Sequence, residues 1–310
     1  MNKVCVVGSI NMDLVLKSRA LPKMGETILI DELFKIPGGK GANQAVAASR
    51  LGCEVNFLGA VGKDENGEIL LNSMKKDKIN IDNISINENC ETGIAIINVD
   101  ENGNNTICVV SGANMKMKSE NIEAMSEVIK LSDVIITQLE TPMEVGAQAF
   151  KIGKNFNKIT ILNPAPAAKI GQDLLSYTDI IVPNETEAFE LTGIEVNDIE
   201  SAKMAAEKFF SKGVKFVVIT LGSKGAAIIS NKESKIVPAF KVKAIDTTAA
   251  GDSFIGAMAK KISENGELNF ESIVEAVTLG NKVSSITVTR EGAQSSIPYL
   301  EEVKELYCEI

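Results

Sequence analysis

The sequence predicts an α/β protein: a three-layer core with a mostly parallel central sheet between helices, and a small β-sheet beside it as a lid. Two observations carry this expectation. Short apolar runs alternate with helical patterns through most of the 310 residues, and two segments break the alternation with strand-like patterns and no helix. Strands buried on both faces read as continuous apolar runs, and parallel neighbours need a helical crossover, so the alternation points to a parallel sheet.

Taken in order, the candidate strands are 4–7, 55–58, 134–137, 159–162, 180–182 and 216–220. Helical patterns occupy 41–51, 68–76, 119–130 and 201–211, and Gly52, Gly153 and Gly213 fall where helix ends are expected. The rhythm breaks at 13–37, which contains Thr27-Ile28-Leu29-Ile30, and again at 93–111. The second segment reads as strands 94–99 and 106–110 around Asp100-Glu101-Asn102-Gly103-Asn104-Asn105, a hairpin signal. A small antiparallel sheet built from both segments is expected. The core then comprises 1–10, 38–92 and 112–310, and the lid 11–37 and 93–111. Beside a cleft such a flap would exclude water; the alternative is an edge extension of the main sheet.

Composition removes several functions. Lys and Arg number 32 against 41 Asp and Glu, a formal charge of −9 with no concentrated basic stretch, which argues against nucleic acid as a partner. The apolar runs fall far short of the roughly 20 residues a membrane-spanning helix requires, and the N-terminus reads as a buried strand rather than a signal peptide. Five cysteines (Cys5, Cys53, Cys90, Cys108, Cys308) are scattered and never form C-x-x-C, which suits reduced thiols in a cytoplasm better than zinc or disulfides. There is no histidine, so Ser-His-Asp and Cys-His catalysis are excluded and a general base is sought first among carboxylates.

The strongest local signal is Asp246-Thr247-Thr248-Ala249-Ala250-Gly251-Asp252-Ser253-Phe254, small residues running into an apolar helical pattern. Free amides and the dipole at such a helix start attract an anion, and small side chains let it approach the backbone. Asp252 there is either a base toward an attacking hydroxyl or a first-turn acid that complements the dipole. Pro37-Gly38-Gly39-Lys40-Gly41-Ala42-Asn43-Gln44 also permits close backbone approach, but it is neither a P-loop nor a dinucleotide fingerprint. Asn184-Glu185-Thr186-Glu187 follows a candidate strand and suits either hydrated Mg²⁺ or a helix cap. Thr220-Leu221-Gly222-Ser223-Lys224-Gly225 ends another strand as a nucleotide floor or a hairpin. Asn11, Asp13 and Glu140 closely follow strands, at the edge where open α/β sheets bind ligands.

Together these motifs resemble the ribokinase/PfkB carbohydrate kinase family, nearly end to end. The resemblance rests on Gly8-Ser9-Ile10-Asn11-Met12-Asp13, Pro22-Lys23-Met24-Gly25-Glu26-Thr27, Gly38-Gly39-Lys40-Gly41-Ala42-Asn43-Gln44-Ala45 and Gln138-Leu139-Glu140. It continues through Asn163-Pro164-Ala165-Pro166-Ala167, Pro183-Asn184-Glu185-Thr186-Glu187-Ala188, Thr220-Leu221-Gly222-Ser223, residues 246–254 and Thr289-Arg290-Glu291-Gly292-Ala293-Gln294. It implies the three-layer core of that family, with a β lid that pairs with a second subunit's lid in a homodimer.

The same resemblance implies ATP-dependent phosphorylation of the 5-hydroxyl of D-ribose, with Asp252 as base and the backbone of Ala249, Ala250, Gly251 and Asp252 as an anion hole. Asn11, Asp13, Gly38, Gly39, Lys40, Asn43 and Glu140 would line the sugar site. Asn184, Thr220, Gly222, Ser223, Gly225, Gly251 and Asn281 fall at nucleotide positions, and Glu187 would act through the water shell of Mg²⁺. An activating K⁺ is implied at Asp246, Thr248, Thr287, Arg290, Gly292 and Ser296, largely through backbone carbonyls. In-line phosphoryl transfer needs positioning and charge stabilisation more than covalent chemistry, so these parts suffice.

Met12, between two sugar ligands, could instead fill the space beside C2 and favour 2-deoxyribose, or it could point into the core. A non-catalytic sugar-binding regulator on the same fold would lack the base, yet Gly251 and Asp252 are present. An NAD-dependent oxidoreductase would need a glycine fingerprint that the chain lacks.

Overall fold

The computed structural model describes residues 2–30, 32–101 and 105–308. Its strands are β1 (Lys3–Val7), β2 (Asn11–Lys17), β3 (Glu32–Gly38), β4 (Glu54–Gly62), β5 (Ile84–Asn87), β6 (Gly93–Val99) and β7 (Asn105–Val110). They continue with β8 (Val134–Thr137), β9 (Ile159–Leu162), β10 (Ile180–Ile181), β11 (Phe216–Thr220), β12 (Ala226–Ile229) and β13 (Ser234–Val237).

The apolar runs become strands buried on both faces. Val4 and Val6 of β1 pack into one core cluster while Cys5 and Val7 pack into another, and Val218 opposes Val217 and Ile219 in the same way. This period-2 division is what a sheet between two helical layers requires. Nine strands form the central sheet in the order β13-β12-β11-β10-β9-β8-β1-β4-β5. Every pair from β5 to β11 is parallel, and only β12 and β13 add antiparallel edges. The expected three-layer, mostly parallel core is observed.

The second sheet has the order β3-β2-β6-β7, and it departs from expectation in two ways. It is mixed rather than antiparallel, because β2 and β6 both leave the carboxyl edge of the parallel sheet and so run side by side in one direction. Thr27–Ile30 contributes no strand; the pairing partner of β2 is β3 instead. Of the expected hairpin turn, Asn102, Gly103 and Asn104 lie outside the described residues.

Two helix expectations are also corrected. The 119–130 pattern is two short helices, Ser119–Ala124 and Ser126–Leu131, broken at Met125, with fully buried Ile122 and Ile129 on either side of the break. Gly153 caps nothing, for it lies inside the Met143–Asn155 helix, where a Cβ would come within 2.2 Å of the Ile135 side chain.

The contact that places the site is between the helices Lys40–Arg50 and Ala250–Asn265. A Cβ at Gly256 would stand 2.5 Å from Cβ of Ala47 and 2.8 Å from the carbonyl of Gln44, so glycine is what allows the two helices to touch. The far end of the first helix is fixed by Arg50. Its guanidinium pairs with Asp77 through Nε (2.7 Å) and Nη2 (3.1 Å), and Nη1 donates to the carbonyls of Gln294 (2.6 Å) and Ile297 (2.8 Å). Tyr299 covers the guanidinium at 4.8 Å. No helix among the described residues is long and apolar enough to cross a membrane, and all five cysteines are free thiols.

Removing one partner of a nearly buried ion pair strands the other charge. Asp77→Ala is expected to lower unfolding free energy by about 3 kcal/mol in urea titration; a loss below about 1 kcal/mol would contradict this account of the Arg50 anchor.

Candidate active site

A parallel sheet gathers the carboxyl ends of its strands along one edge. Here β1 leads to Ser9, Asn11 and Asp13, β8 to Gln138 and Glu140, β9 to Asn163, and β10 to Asn184 and Glu187. Alternate residues of a strand face opposite ways, so Asn11 and Asp13 of β2 share one face and Met12 takes the other. Met12 is fully buried in the core cluster with Val6 and Ile10, so it does not crowd a ligand beside Asp13.

Glu140, Asn11 and Asp252 in this crevice are held in place by hydrogen bonds. A Cβ at Gly38 would fall 2.1 Å from Oδ2 of Asp13, so the glycine makes room for that carboxylate. Glu140 Oε2 accepts from Ser9 Oγ (2.5 Å) and from the Lys40 backbone N–H (3.2 Å). Asn114, which is fully buried, donates Nδ2 to Asn11 Oδ1 (2.7 Å) and accepts from the Ile10 N–H (2.9 Å), leaving the Asn11 amide hydrogens for a ligand. Asp252, 8% exposed, receives one donor on each oxygen: Asn43 Nδ2 on Oδ2 (2.9 Å) and Gln44 Nε2 on Oδ1 (3.0 Å).

The charges interact. Burial, reinforced by Glu140 and Asp252 and opposed by Lys40, pushes the Asp13 carboxyl up to about 7. Burial pulls the Lys40 ammonium down, but Asp252, Glu140, Glu187 and Asp13 outweigh it and hold the group above its ordinary value. Burial also raises Glu187, against the Asn184 N–H and Lys40. Asp13, Glu140, Glu187 and Asp252 thus all lie within the field of Lys40.

Asp252 belongs to the first turn of the Ala250–Asn265 helix, whose cap Ala249 adopts the left-handed conformation (φ +58°). The first bond of the helical ladder runs from the Ser253 N–H to the Ala249 carbonyl (2.8 Å), so the Gly251 and Asp252 amides precede it. The Ala250 N–H is engaged by the Thr247 carbonyl (3.2 Å), which narrows the expected four-amide hole.

On the other side of this helix start lies a cavity of about 570 Å³. Thr220, Gly222, Ser223, Gly225, Ala250, Gly251 and Asn281 line it, with Phe240, Val242 and Phe254 supplying apolar walls. Asn281 Nδ2 donates to the carbonyls of Val237 and Pro238 (both 3.1 Å) and so shapes one wall. The turn 220–225 is a hairpin joining β11 to β12, and it also lines the cavity. Asn184 and Glu187 are not among the lining residues. They form a capping box (both bonds 2.8 Å), and Asn184 bridges to Thr220.

The six residues expected to hold a monovalent cation come from two linked loops and the last residue of the Phe270–Thr287 helix. Asp246 Oδ1 accepts from the Thr248 N–H (2.9 Å) and Oγ1 (2.7 Å), and Oδ2 accepts from the Gly292 N–H (2.9 Å). These bonds hold its carboxyl below the usual range despite burial, the largest opposing influence. Thr287 and Ser296 are fully buried, and the Arg290 side chain is turned to Glu302 (2.6 Å), which leaves backbone carbonyls as its contribution. Among the described residues no three acidic or Cys side chains cluster as a divalent-metal cage.

Gln44, Gln138, Asn163, Gln294, Asn114 and Ser9 were not singled out for roles from sequence. Their available signal was amide or hydroxyl groups inside small-residue motifs or, for Gln138, at the end of an apolar run, where a core would otherwise be apolar.

A carboxylate at an open helix start, between a polar crevice and a partly apolar cavity, defines a phosphotransferase-like site. The chain belongs to the pfkB family of carbohydrate kinases, whose family model matches residues 1–300. It is 42% identical over 306 residues to a ribokinase of Staphylococcus aureus, spanning 98% of this chain and 99% of that protein. It is also 42% identical to a bifunctional ribokinase/ribose-5-phosphate isomerase A of Fructilactobacillus sanfranciscensis, of whose length it spans 56%, with 98% of this chain covered. A deoxyribokinase of Salmonella typhi is 36% identical over 304 residues, 97% of each chain. Among solved structures, Thermotoga maritima ribokinase superposes with a TM-score of 0.87 at 40% identity over 100% of both chains. Arabidopsis thaliana ribokinase complexed with ribose and ATP gives 0.89 at 31% over 98% of both.

With the folded-state Asp13 carboxyl near 7 against 3.8 for the free group, ionisation is penalised in the fold, so its contribution to stability falls as pH rises from about 4 to about 7. Asp13→Asn cannot ionise. Its stability relative to the parent protein is expected to improve by about 2 kcal/mol between pH 5 and pH 8 in chemical denaturation, and a constant difference would show that Asp13 does not titrate there.

Proposed function

We propose that the protein transfers the γ-phosphoryl group of ATP to the 5-hydroxyl of D-ribose, with Asp252 as general base. One observation carries this reading. Asp252 stands at the start of a helix with open first-turn amides, between the crevice of Asp13, Lys40 and Glu140 and the cavity of about 570 Å³. Cavities of roughly 300–1,000 Å³ suit small ligands and cofactors, and the aromatic walls suit a nucleotide base.

Asn11, Asp13, Gly38, Gly39, Lys40, Asn43 and Glu140 bind the sugar hydroxyls and align the 5-oxygen. Asp252 accepts its proton as it attacks, while the amides of Gly251 and Asp252 and the Lys40 ammonium meet the charge of the moving phosphoryl group. Asn184, Thr220, Gly222, Ser223, Gly225 and Asn281 serve the nucleotide. Mg²⁺ would neutralise the phosphate oxygens, with Glu187 meeting it through its water shell. Asp246, Thr248, Thr287, Arg290, Gly292 and Ser296 would hold a K⁺ ion that stiffens the two loops beside the helix start.

We place the lid at 11–37 and 93–111, closing over the sugar. The exposed apolar side chains Leu33, Phe34, Ile107, Val109 and Val110 support a second copy of the chain as the partner that covers the small sheet. Five free thiols support a reducing compartment, the cytoplasm. The inward orientation of Met12 favours ribose over 2-deoxyribose.

Asp252→Asn is expected to lower kcat by at least about 10²-fold with the thermal melt unchanged, and near-parental turnover would remove the base from Asp252. In an ADP-release assay with a pentose panel, ribose should exceed 2-deoxyribose in kcat/KM by about tenfold or more, as expected for a lost hydroxyl contact; parity would favour the deoxy sugar reading. Val109→Asp should convert a dimer in sedimentation velocity to a monomer, and a parent protein that sediments as a monomer would overturn the lid interface.

A further inference from the structure

Four buried carboxamides that the proposed chemistry leaves unused, Gln44, Gln138, Asn163 and Gln294, join Asn43 around Asp252. Each of the five is more than nine-tenths buried. A carboxamide has a donor end and an acceptor end, so its orientation decides whether it attracts or repels a carboxylate.

Neighbours impose the orientations of Asn163, Gln44 and Asn43, while Gln138 is held only by its bond to Gln44 and its Oε1 is buried without a partner among the described residues. Asn163 donates Nδ2 to the Val182 carbonyl (3.2 Å), which turns its Oδ1 toward Gln44. Gln44 Nε2 donates to that oxygen (3.1 Å) and to Asp252 Oδ1 (3.0 Å), while Gln44 Oε1 accepts from Gln138 Nε2 (2.6 Å). On the other side, Gln294 Nε2 donates to Asn43 Oδ1 (3.2 Å), which leaves Asn43 Nδ2 for Asp252 Oδ2 (2.9 Å). Arg50 grips the backbone carbonyl of Gln294 (2.6 Å) and so fixes the distal end. A reversed Asn43 or Gln44 would press a carbonyl oxygen against the carboxylate and leave buried groups unpaired, which costs more than the bonds are worth in water.

We propose that this oriented amide network positions the base: Gln294 and Gln138, acting through Asn43 and Gln44, hold both oxygens of Asp252 so that the carboxylate cannot turn away from the sugar hydroxyl. Rotation of the carboxylate would break both donor bonds at once. The inference rests on the reading of Asp252 as base, and it adds positioning residues that never touch the substrate.

The test uses the full chain. Gln294→Met and Gln138→Met keep length and bulk but remove the donor. Each is expected to lower kcat by about tenfold or more while the ribose KM stays within about twofold, since the contact matters as the proton moves. Urea midpoints check that the folded fraction is unchanged. Asn43→Ala is then combined with Gln294→Met. If Gln294 works only through Asn43, the double variant should match Asn43→Ala within about twofold, whereas a merely structural role would give multiplicative losses. Gln138→Met approaches from the opposite side and stays decisive if Gln294→Met does not fold. Parental kcat in both methionine variants, or a multiplicative double variant, overturns the network. Asp252→Asn separates the two claims: an active Asp252→Asn overturns the base itself, while an inactive one beside fully active methionine variants overturns the network alone.

Discussion

The close approach of the helices Lys40–Arg50 and Ala250–Asn265 is the constraint on which the site depends. Because residue 256 has no side chain, the second helix lies against Gln44 and Ala47, and its first turn reaches the start of the first helix. That brings Asp252 to Asn43 and Gln44 and sets it beside Lys40, whose own charge answers four carboxylates. A larger residue at 256 would push the two helices apart and separate the Asp252 carboxylate from its donors. The parallel sheet supplies the rest, since its carboxyl edge gathers Ser9, Glu140, Asn163 and Glu187 from four different strands.

Much of this arrangement was legible in the sequence, for identifiable reasons. Strands buried on both faces write themselves as apolar runs, so β1, β8, β9 and β11 fall where the runs lie. The turn from Asp246 to Asp252 is legible because small residues before an apolar helical pattern have few other uses. The burial of Met12 follows from strand alternation, but only once β2 is known to begin at Asn11. The break at Met125 and the role of Gly153 were not legible, because both answer to what packs against them rather than to the local pattern.

The candidate site was read less completely than the fold. Charged residues announce themselves by type, so Asp13, Lys40, Glu140 and Asp252 were found. The amides that orient them did not, because a glutamine at 294 and an asparagine at 43 are 251 residues apart and nothing local links them. The mixed character of the small sheet was missed for a related reason, since the direction of β6 relative to β2 is set by where each leaves the large sheet.

That long reach has a consequence for how the molecule comes into being. The bonds to Asp252 join positions 208 and 209 residues apart, and Arg50 holds a carbonyl 244 residues away. No fragment ending before the Ala250–Asn265 helix contains the centre at all. During synthesis the earlier strands and helices can assemble while the crevice remains chemically inert, and competence arrives only as the last fifth of the chain docks.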